Sequence, residues 1–272
     1  MKNTNGKINV FSWGLILATA ALFAACGGDS SSGADEGEIS SSMALSSSVE
    51  SSSSGTEVKS SSSSVAAISY GEITDSRDKQ KYKTVVIGTQ TWMAENLNYA
   101  VDSSWCYNDS TKYCEKYGRL YQWTAAMGLS AEYNETEWEG NDMNYQGICP
   151  EGWRLPNNDD WWTLLFYVEA NNGSEEIGAS LKSASGWFGD VAGTNRFGFS
   201  ALPAGERNSN RGFYYAGYYA HFWSALEWYD DSAYYWYLSY NFGVFYEGNE
   251  LNKYYGNNRD KITGFSVRCL KK

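Results

Sequence analysis

Between residues 27 and 68 the chain has nothing with which to build a core, and this divides the molecule before any other feature is considered. Serine dominates the stretch, in runs at 46–48, 51–54 and 60–64, with scattered Asp and Glu and almost no large apolar side chain. Such a composition cannot bury enough apolar surface to offset its ordering entropy, so a disordered linker is expected. As a flexible coil of about forty residues its end-to-end distance is roughly 35 Å. Folding is therefore left to residues 69–272, a length that suits one domain or two small ones.

Ahead of the linker, Lys2 and Lys7 supply a basic start, and a short apolar run from Phe11 to Ala25 follows without an acid. The run closes on Leu22-Phe23-Ala24-Ala25-Cys26. Basic, apolar and small-residue regions in that order mark a secretory signal peptide over residues 1–25. Small residues directly before a cysteine resemble the bacterial lipoprotein signal, which implies that the Cys26 thiol carries a lipid. Two or three acyl chains give a stable anchor where one gives marginal binding. Gly27 follows the cysteine where inner-membrane retention would place Asp, so the resemblance implies lipid anchoring in the outer membrane, on the periplasmic face or the cell surface.

Removing the signal takes two lysines and no acid, leaving 19 basic against 32 acidic side chains, a net charge of −13. An acidic chain without a basic cluster speaks against nucleic acid as partner. It is repelled by anionic headgroups as well, so membrane contact is expected through the lipid alone.

Once Cys26 is assigned to lipid, Cys106, Cys114, Cys149 and Cys269 remain. Four cysteines in an exported domain read as two disulfides, with three connectivities. Cys106 and Cys114 bracket a polar, turn-rich segment and would close a small loop, and Cys149 and Cys269 would then tie the middle of the domain to its end. A zinc site lacks Cys-x-x-Cys spacing and has one histidine, His221, to draw on.

Residues 82–87 and 91–93 read as two strands around a turn at Gly88-Thr-Gln90. Asn157-Asn158-Asp159-Asp160, followed by Trp161, Leu164, Leu165 and Val168, predicts a capped helix that stops at Asn171-Asn172-Gly173. A second, short helix is expected over 175–183, with Ile177 and Leu181 facing inward. Past Trp187 short aromatic runs separated by Gly, Asn and Asp predict strands at 197–202, 218–225, 233–240, 243–246 and 264–270. Early helices and late strands make an α+β domain.

Six blocks then occur in order: Tyr82-Lys-Thr-Val-Val-Ile-Gly-Thr-Gln-Thr-Trp-Met-Ala-Glu-Asn-Leu-Asn98, Tyr117-Gly-Arg-Leu-Tyr121, Cys149-Pro-Glu-Gly-Trp-Arg-Leu-Pro156, Gly198-Phe-Ser-Ala-Leu-Pro-Ala-Gly205, Phe222-Trp-Ser224 and Gly264-Phe-Ser-Val-Arg-Cys269. Together they resemble the Fibrobacter succinogenes major paralogous domain over nearly the whole globular part. The resemblance implies a C-type-lectin-like fold, two helices with twisted antiparallel strands and neighbouring ends, which a Cys149–Cys269 bridge suits. It implies no established activity. Formylglycine-generating enzymes share that fold, and their Arg-Leu-Pro segment is similar to Arg154-Leu-Pro156, but the cysteines their chemistry needs are committed to structure in this chain.

No catalytic constellation emerges. His221 and Ser224, three apart on one strand, point to opposite faces, and a Gly-x-Ser-x-Gly elbow is missing. A carboxylate pair of the glycosidase kind is not singled out by any spacing. The acids and amides of the late strands could hold Ca²⁺, but the lectin calcium tripeptides are absent; they read as a solvated acidic loop, and no metal or cofactor is expected.

Aromatic density is the informative feature: 19 Phe, Tyr and Trp fall among the 45 residues from Arg211 to Tyr255, against two basic side chains. Aromatics on both faces of a strand leave one face for the core and one for solvent or a partner. Tyr and Trp pair a flat apolar body with a polar handle, as sugar stacking and interfaces require. Trp228, Tyr229, Asp230, Asp231, Tyr235, Tyr237 and Tyr246 are the candidate ligand-binding residues. The expected function is a membrane-anchored, non-catalytic surface binding module for a plant-cell-wall glycan or another surface molecule. The alternatives are a structural envelope protein that binds other proteins and, behind it, an enzyme with an unrecognised carboxylate site.

Overall fold

The computed structural model describes residues 67–172, 176–189, 193–241, 245–248 (main chain only) and 259–272. The expected signal peptide, Cys26 and the linker up to residue 66 lie outside the described residues, as do Glu175 and residues 243–244 at the expected starts of a helix and a strand.

The chain opens with an antiparallel meander, β1 (Tyr70–Thr74), β2 (Lys81–Ile87) and β3 (Gln90–Met93). The β2–β3 turn requires Gly88 twice over. Its φ is +62°, and a Cβ there would lie 2.7 Å from the Tyr167 ring. Next come β4 (Ser104–Trp105), α1 (Thr111–Tyr117), β5 (Leu120–Tyr121), α2 (Trp123–Met127) and β6 (Trp153–Arg154). Then follow α3 (Asn158–Asn171), α4 (Ile177–Leu181), β7 (Glu206–Arg207) and β8 (Phe213–Tyr214). The late half carries β9 (Tyr219–Tyr229), β10 (Ser232–Ser239), β11 (Phe245–Gly248) and the terminal β12 (Leu270–Lys271). The main sheets run β1-β2-β3-β12-β6 and β11-β10-β9, and two small pairs, β4-β5 and β7-β8, lie outside them. The class is α+β with antiparallel sheets.

Both disulfides are present, Cys106–Cys114 across 8 residues and Cys149–Cys269 across 120. By loop entropy the short bridge contributes about 2.5 kcal/mol and the long one about 5 kcal/mol.

Three expectations need correction. The described residues hold four α-helices, not two. The segment after Cys106, read as a turn, forms a 3₁₀ turn at Tyr107–Asp109 and then α1. That helix has no apolar periodicity to announce it; a disulfide and the rings of Tyr113 and Tyr117 hold it in place. Residues 197–202 are not a strand. Asn195, Gly198 and Ser200 take φ values of 51°, 74° and 54°, and the Asn195 side chain closes the turn by accepting from Ser200 N at 2.8 Å and donating to Ser200 Oγ at 2.8 Å. Residues 264–270, expected as one strand, form an extended thread whose hydrogen bonds go to a succession of neighbours. Gly264 exchanges bonds with Arg207 and Phe265 with Tyr121, and Ser266 bonds both His221 and Trp223. Leu97 and Met93 donate to the carbonyls of Val267 and Cys269, and Leu270 pairs with Trp92 and Arg154. Each contact involves one or two residues from a distant part of the sequence, and together they join both main sheets to the C-terminus.

The β9–β10 pair lies between two hydrophobic clusters. Trp223, Ala225, Ala233 and Tyr235 enter the cluster of Trp123, Trp153 and Phe265, whereas Phe222, Trp236 and Leu238 enter that of Trp92, Trp161 and Phe199. Buried indoles reach acceptors: Trp123 donates to Ser224 O at 2.9 Å, Trp223 to Tyr121 O at 2.7 Å and Trp236 to Asn158 Oδ1 at 3.1 Å. An aromatic side chain burying 150–250 Å² contributes roughly 4–6 kcal/mol of transfer free energy, kept only when its polar atom is satisfied.

Candidate functional site

Because both faces of β9–β10 are covered, the aromatic density of the late strands largely fills cores. Tyr235 is 8 % exposed; its ring lies 4.9 Å from Phe265 and 5.8 Å from His221. It is a core residue, and its expected place on a binding surface is corrected. Tyr237 is half-buried on the same face, stacked on Tyr235 at 5.9 Å. Tyr246 is described through its main chain, paired in β11 opposite Tyr237.

The other four expected residues gather at the β9–β10 hairpin tip. Trp228 is half-buried, with Tyr229 at 5.3 Å and Tyr234 at 4.8 Å, both edge-on. Tyr229 is 54 % exposed, and Asp230 and Asp231 are exposed between the strands. Beneath the tip, fully buried Lys261 pairs with the Glu227 carboxylate and donates to Asp230 O, Tyr133 O and Thr136 O. The Glu227 carboxylate also accepts from Trp138 N at 2.9 and 3.0 Å. A buried cation thus fixes the tip that presents Tyr229.

Sequence reasoning missed a second aromatic group at the opposite end of the pair. Phe188, 54 % exposed, stacks on Tyr218 with ring centres 4.4 Å apart and planes 20° apart, and Tyr240 meets both edge-on. Main-chain bonds hold the three together: Phe188 N donates to Gly217 O at 2.7 Å, and Tyr240 N to Tyr218 O at 2.8 Å. Exposed Tyr214 and Tyr215 lie on the approach to β9, with Tyr215 edge-on to Tyr219 at 5.5 Å. The Tyr doublets at 214–215 and 218–219 carried the signal, since one ring of each pair must face away from its neighbour. Phe188 comes from a distant segment, and no local pattern ties it to them.

The polar cluster around His221 is buried. Its ring stacks on Phe265 at 4.6 Å and on Tyr219 at 5.4 Å, with Nδ1 3.8 Å from Glu206 Oε2. Burial first, and the Arg259 charge second, hold His221 well below its usual pKa, so the ring is neutral near neutral pH. Burial raises the Glu206 carboxyl, while Arg259, 3.0 Å away, opposes that rise. Ser224 Oγ accepts from Leu226 N at 3.2 Å, a local turn contact.

With this geometry in place, the sequence matches the family described as the Fibrobacter succinogenes major domain over residues 85–271. The chain belongs to this family. No curated protein and no solved structure matches it. Apart from residues 82–84, the six blocks quoted above lie within the stretch that matches this Fibrobacter succinogenes major domain. One holds Cys149 and leads through β6 towards α3, another lies in β9, and another is the C-terminal thread. Phe188, Tyr214, Tyr215 and Tyr229 all fall between blocks.

Proposed function

We propose that this protein is a membrane-anchored, non-catalytic binding module of C-type-lectin-like fold that recognises a glycan of the plant cell wall. The observation that carries the reading is the Phe188–Tyr218 stack, exposed at its Phe188 ring and braced by Tyr240. Preordered rings with one open face suit the apolar face of a pyranose, and their low side-chain entropy limits the ordering cost of binding. Tyr229 at the hairpin tip offers a second contact of the same kind. The apolar leader ending at Cys26 supports lipid anchoring in the outer membrane, and the serine-rich linker supports a tethered domain.

Affinity electrophoresis of the full chain through soluble glycans, with insoluble polymers in pull-down and with and without calcium, tests the reading. Retardation by one polymer, lost in a Phe188→Ala/Tyr218→Ala variant that stays folded, is the expected result. Migration unaltered by every polymer would overturn it.

A protein-facing envelope role is the second reading, and a specific surface favours it. On α3, Trp162 and Phe166 stack at 5.5 Å on the outward side, with Tyr167 and Val86 also exposed. An apolar patch of this kind suits a protein partner, and co-purification with envelope proteins, lost on Phe166→Ser, would favour it.

A further inference from the structure

The two disulfides sit in opposite chemical surroundings. Cys149 and Cys269 are fully buried in the first hydrophobic cluster. Cys114 is nearly buried, but Cys106 is half-exposed, and the guanidinium of Arg119 lies against both sulfurs, with Nη1 3.6 Å from each Sγ. Arg119 is itself fixed there, donating from Nε to Ser104 Oγ and from Nη2 to Ser104 O, both at 2.9 Å. Lys112 and Lys116 add two cations on α1, and Glu115 and Asp109 are the nearby acids in sequence. A fixed cation beside a sulfur stabilises its thiolate, and a better leaving thiolate makes a disulfide easier to reduce. The short loop closed by this bridge also gives it less entropic protection than its partner.

We propose that Cys106–Cys114 is a site of thiol–disulfide exchange, open to dithiol reductants, while Cys149–Cys269 is a permanent structural bridge. A thiolate of the dithiol attacks the exposed Cys106 Sγ. The S–S bond breaks and its electron pair leaves on Cys114 Sγ, beside Arg119. The second thiol of the reagent, deprotonated, attacks its own sulfur in the mixed disulfide and releases Cys106 as a thiolate. The protein gains two electrons and the dithiol is oxidised to its disulfide. The two protons pass from the dithiol to solvent or to the new thiolates.

Reduction has a structural consequence. Tyr107 and Tyr113, the first and last residues inside the loop closed by the bridge, pack edge-on at 5.4 Å. Tyr107 lies 5.4 Å from the Phe213 ring, and Tyr107, Phe213 and Ala216 pack on the same small hydrophobic cluster. Phe213 and Ala216 flank the exposed Tyr214 and Tyr215, so the bridge braces the segment that presents them.

The test equilibrates the full chain with graded ratios of reduced to oxidised dithiothreitol, quenches by alkylation and reads each cysteine by peptide mass mapping, which also separates Cys26. Half-reduction of Cys106–Cys114 is expected at a ratio at least about tenfold lower than for Cys149–Cys269. Arg119→Gln, which removes the charge, should raise that ratio, and Arg119→Lys should keep it low; an intact Cys149–Cys269 bridge in each variant reports that the fold persists. Amide hydrogen exchange at residues 213–216 should quicken when the short bridge alone is reduced. Reduction of both bridges at one ratio, or an Arg119→Gln profile that matches the Arg119 protein, would overturn the proposal. Unchanged exchange at 213–216 would overturn its coupling to the tyrosines.

Discussion

Arg268 donates to the Asn96 side-chain oxygen through both Nε, at 3.1 Å, and Nη2, at 2.6 Å, joining residues 172 apart in sequence. The guanidinium is fully buried against the rings of Phe199 and Phe222, and it also donates to Met93 O, Phe199 O and Ser200 O. One planar fork thus satisfies the carbonyls of the irregular segment that replaces the expected strand at 197–202. Arg268→Met should cost about 3–5 kcal/mol, since it leaves several buried acceptors without donors. Arg268→Lys should recover only part of that, because an ammonium cannot reproduce the planar fork. Equilibrium unfolding in guanidinium chloride with the disulfides intact measures both; a loss below about 1 kcal/mol for Arg268→Met would remove this role.

Lys261 makes a prediction of a more local kind. Its ammonium joins Glu227, Asp230 O, Tyr133 O and Thr136 O, so Lys261→Met leaves the partly buried Glu227 carboxylate without its counter-charge, held by Trp138 N alone, and takes a donor from three carbonyls. Breaking such a pair costs about 3–5 kcal/mol when the other charge stays buried, but the hairpin tip can instead open to water. Faster amide exchange and proteolytic nicking around residues 228–231 and 133–136 are therefore expected before global unfolding changes. Protection equal to the wild type at both segments would count against the tip being fixed from below.

What could be read in the sequence was what is encoded locally. The β2–β3 hairpin was visible because Gly88 sits between β-branched runs, and α3 because Asn157 and the apolar spacing after it point the same way. The α+β class followed from the order of those signals. The short helices α1 and α2 were hidden because tertiary contacts, not periodicity, hold them. Tyr235 was misplaced because a strand buried on both faces reads the same as one with an aromatic outer face. Phe188 was missed because its partners, Tyr218 and Tyr240, are distant in sequence, and stacking leaves no mark on the residues next to it.

His221 predicts an acid sensitivity. Its pKa lies well below 6.5 in the folded protein because of burial and the neighbouring Arg259. An unfolded chain therefore binds a proton at His221 that the native ring rejects, and stability falls as pH drops below 6.5 towards the folded value. The contribution is at most about 1.4 kcal/mol per pH unit. Glu206 acts in the opposite sense: its raised pKa lets the native state take up a proton above the ordinary 4.5, which returns some stability at lower pH. Urea midpoints immediately below pH 6.5 should fall less steeply for His221→Phe, which keeps the stack on Phe265 and cannot titrate. Parallel profiles for the two proteins would refute the assignment.

The start of α3 offers a test of coupling. Asn157 accepts from Asp160 N at 3.2 Å, and Asp160 accepts in return from Asn157 N at 2.9 Å, completing a capping box. The same carboxylate is gripped by both terminal nitrogens of Arg154, at the end of β6, while Asp160 O receives Gln90 Nε2 from β3 at 3.0 Å. Asn157→Ala removes one cap and should cost about 1 kcal/mol. Asp160→Ala removes the reciprocal bond and leaves a mostly buried guanidinium unpaired, so it should cost more, about 2–4 kcal/mol. If Asp160 serves as one node for cap and ion pair, an Arg154→Met/Asp160→Ala double variant will be less destabilised than the sum of its single changes, by about 1 kcal/mol or more. Additive losses would mean that the strand end and the helix start are held independently.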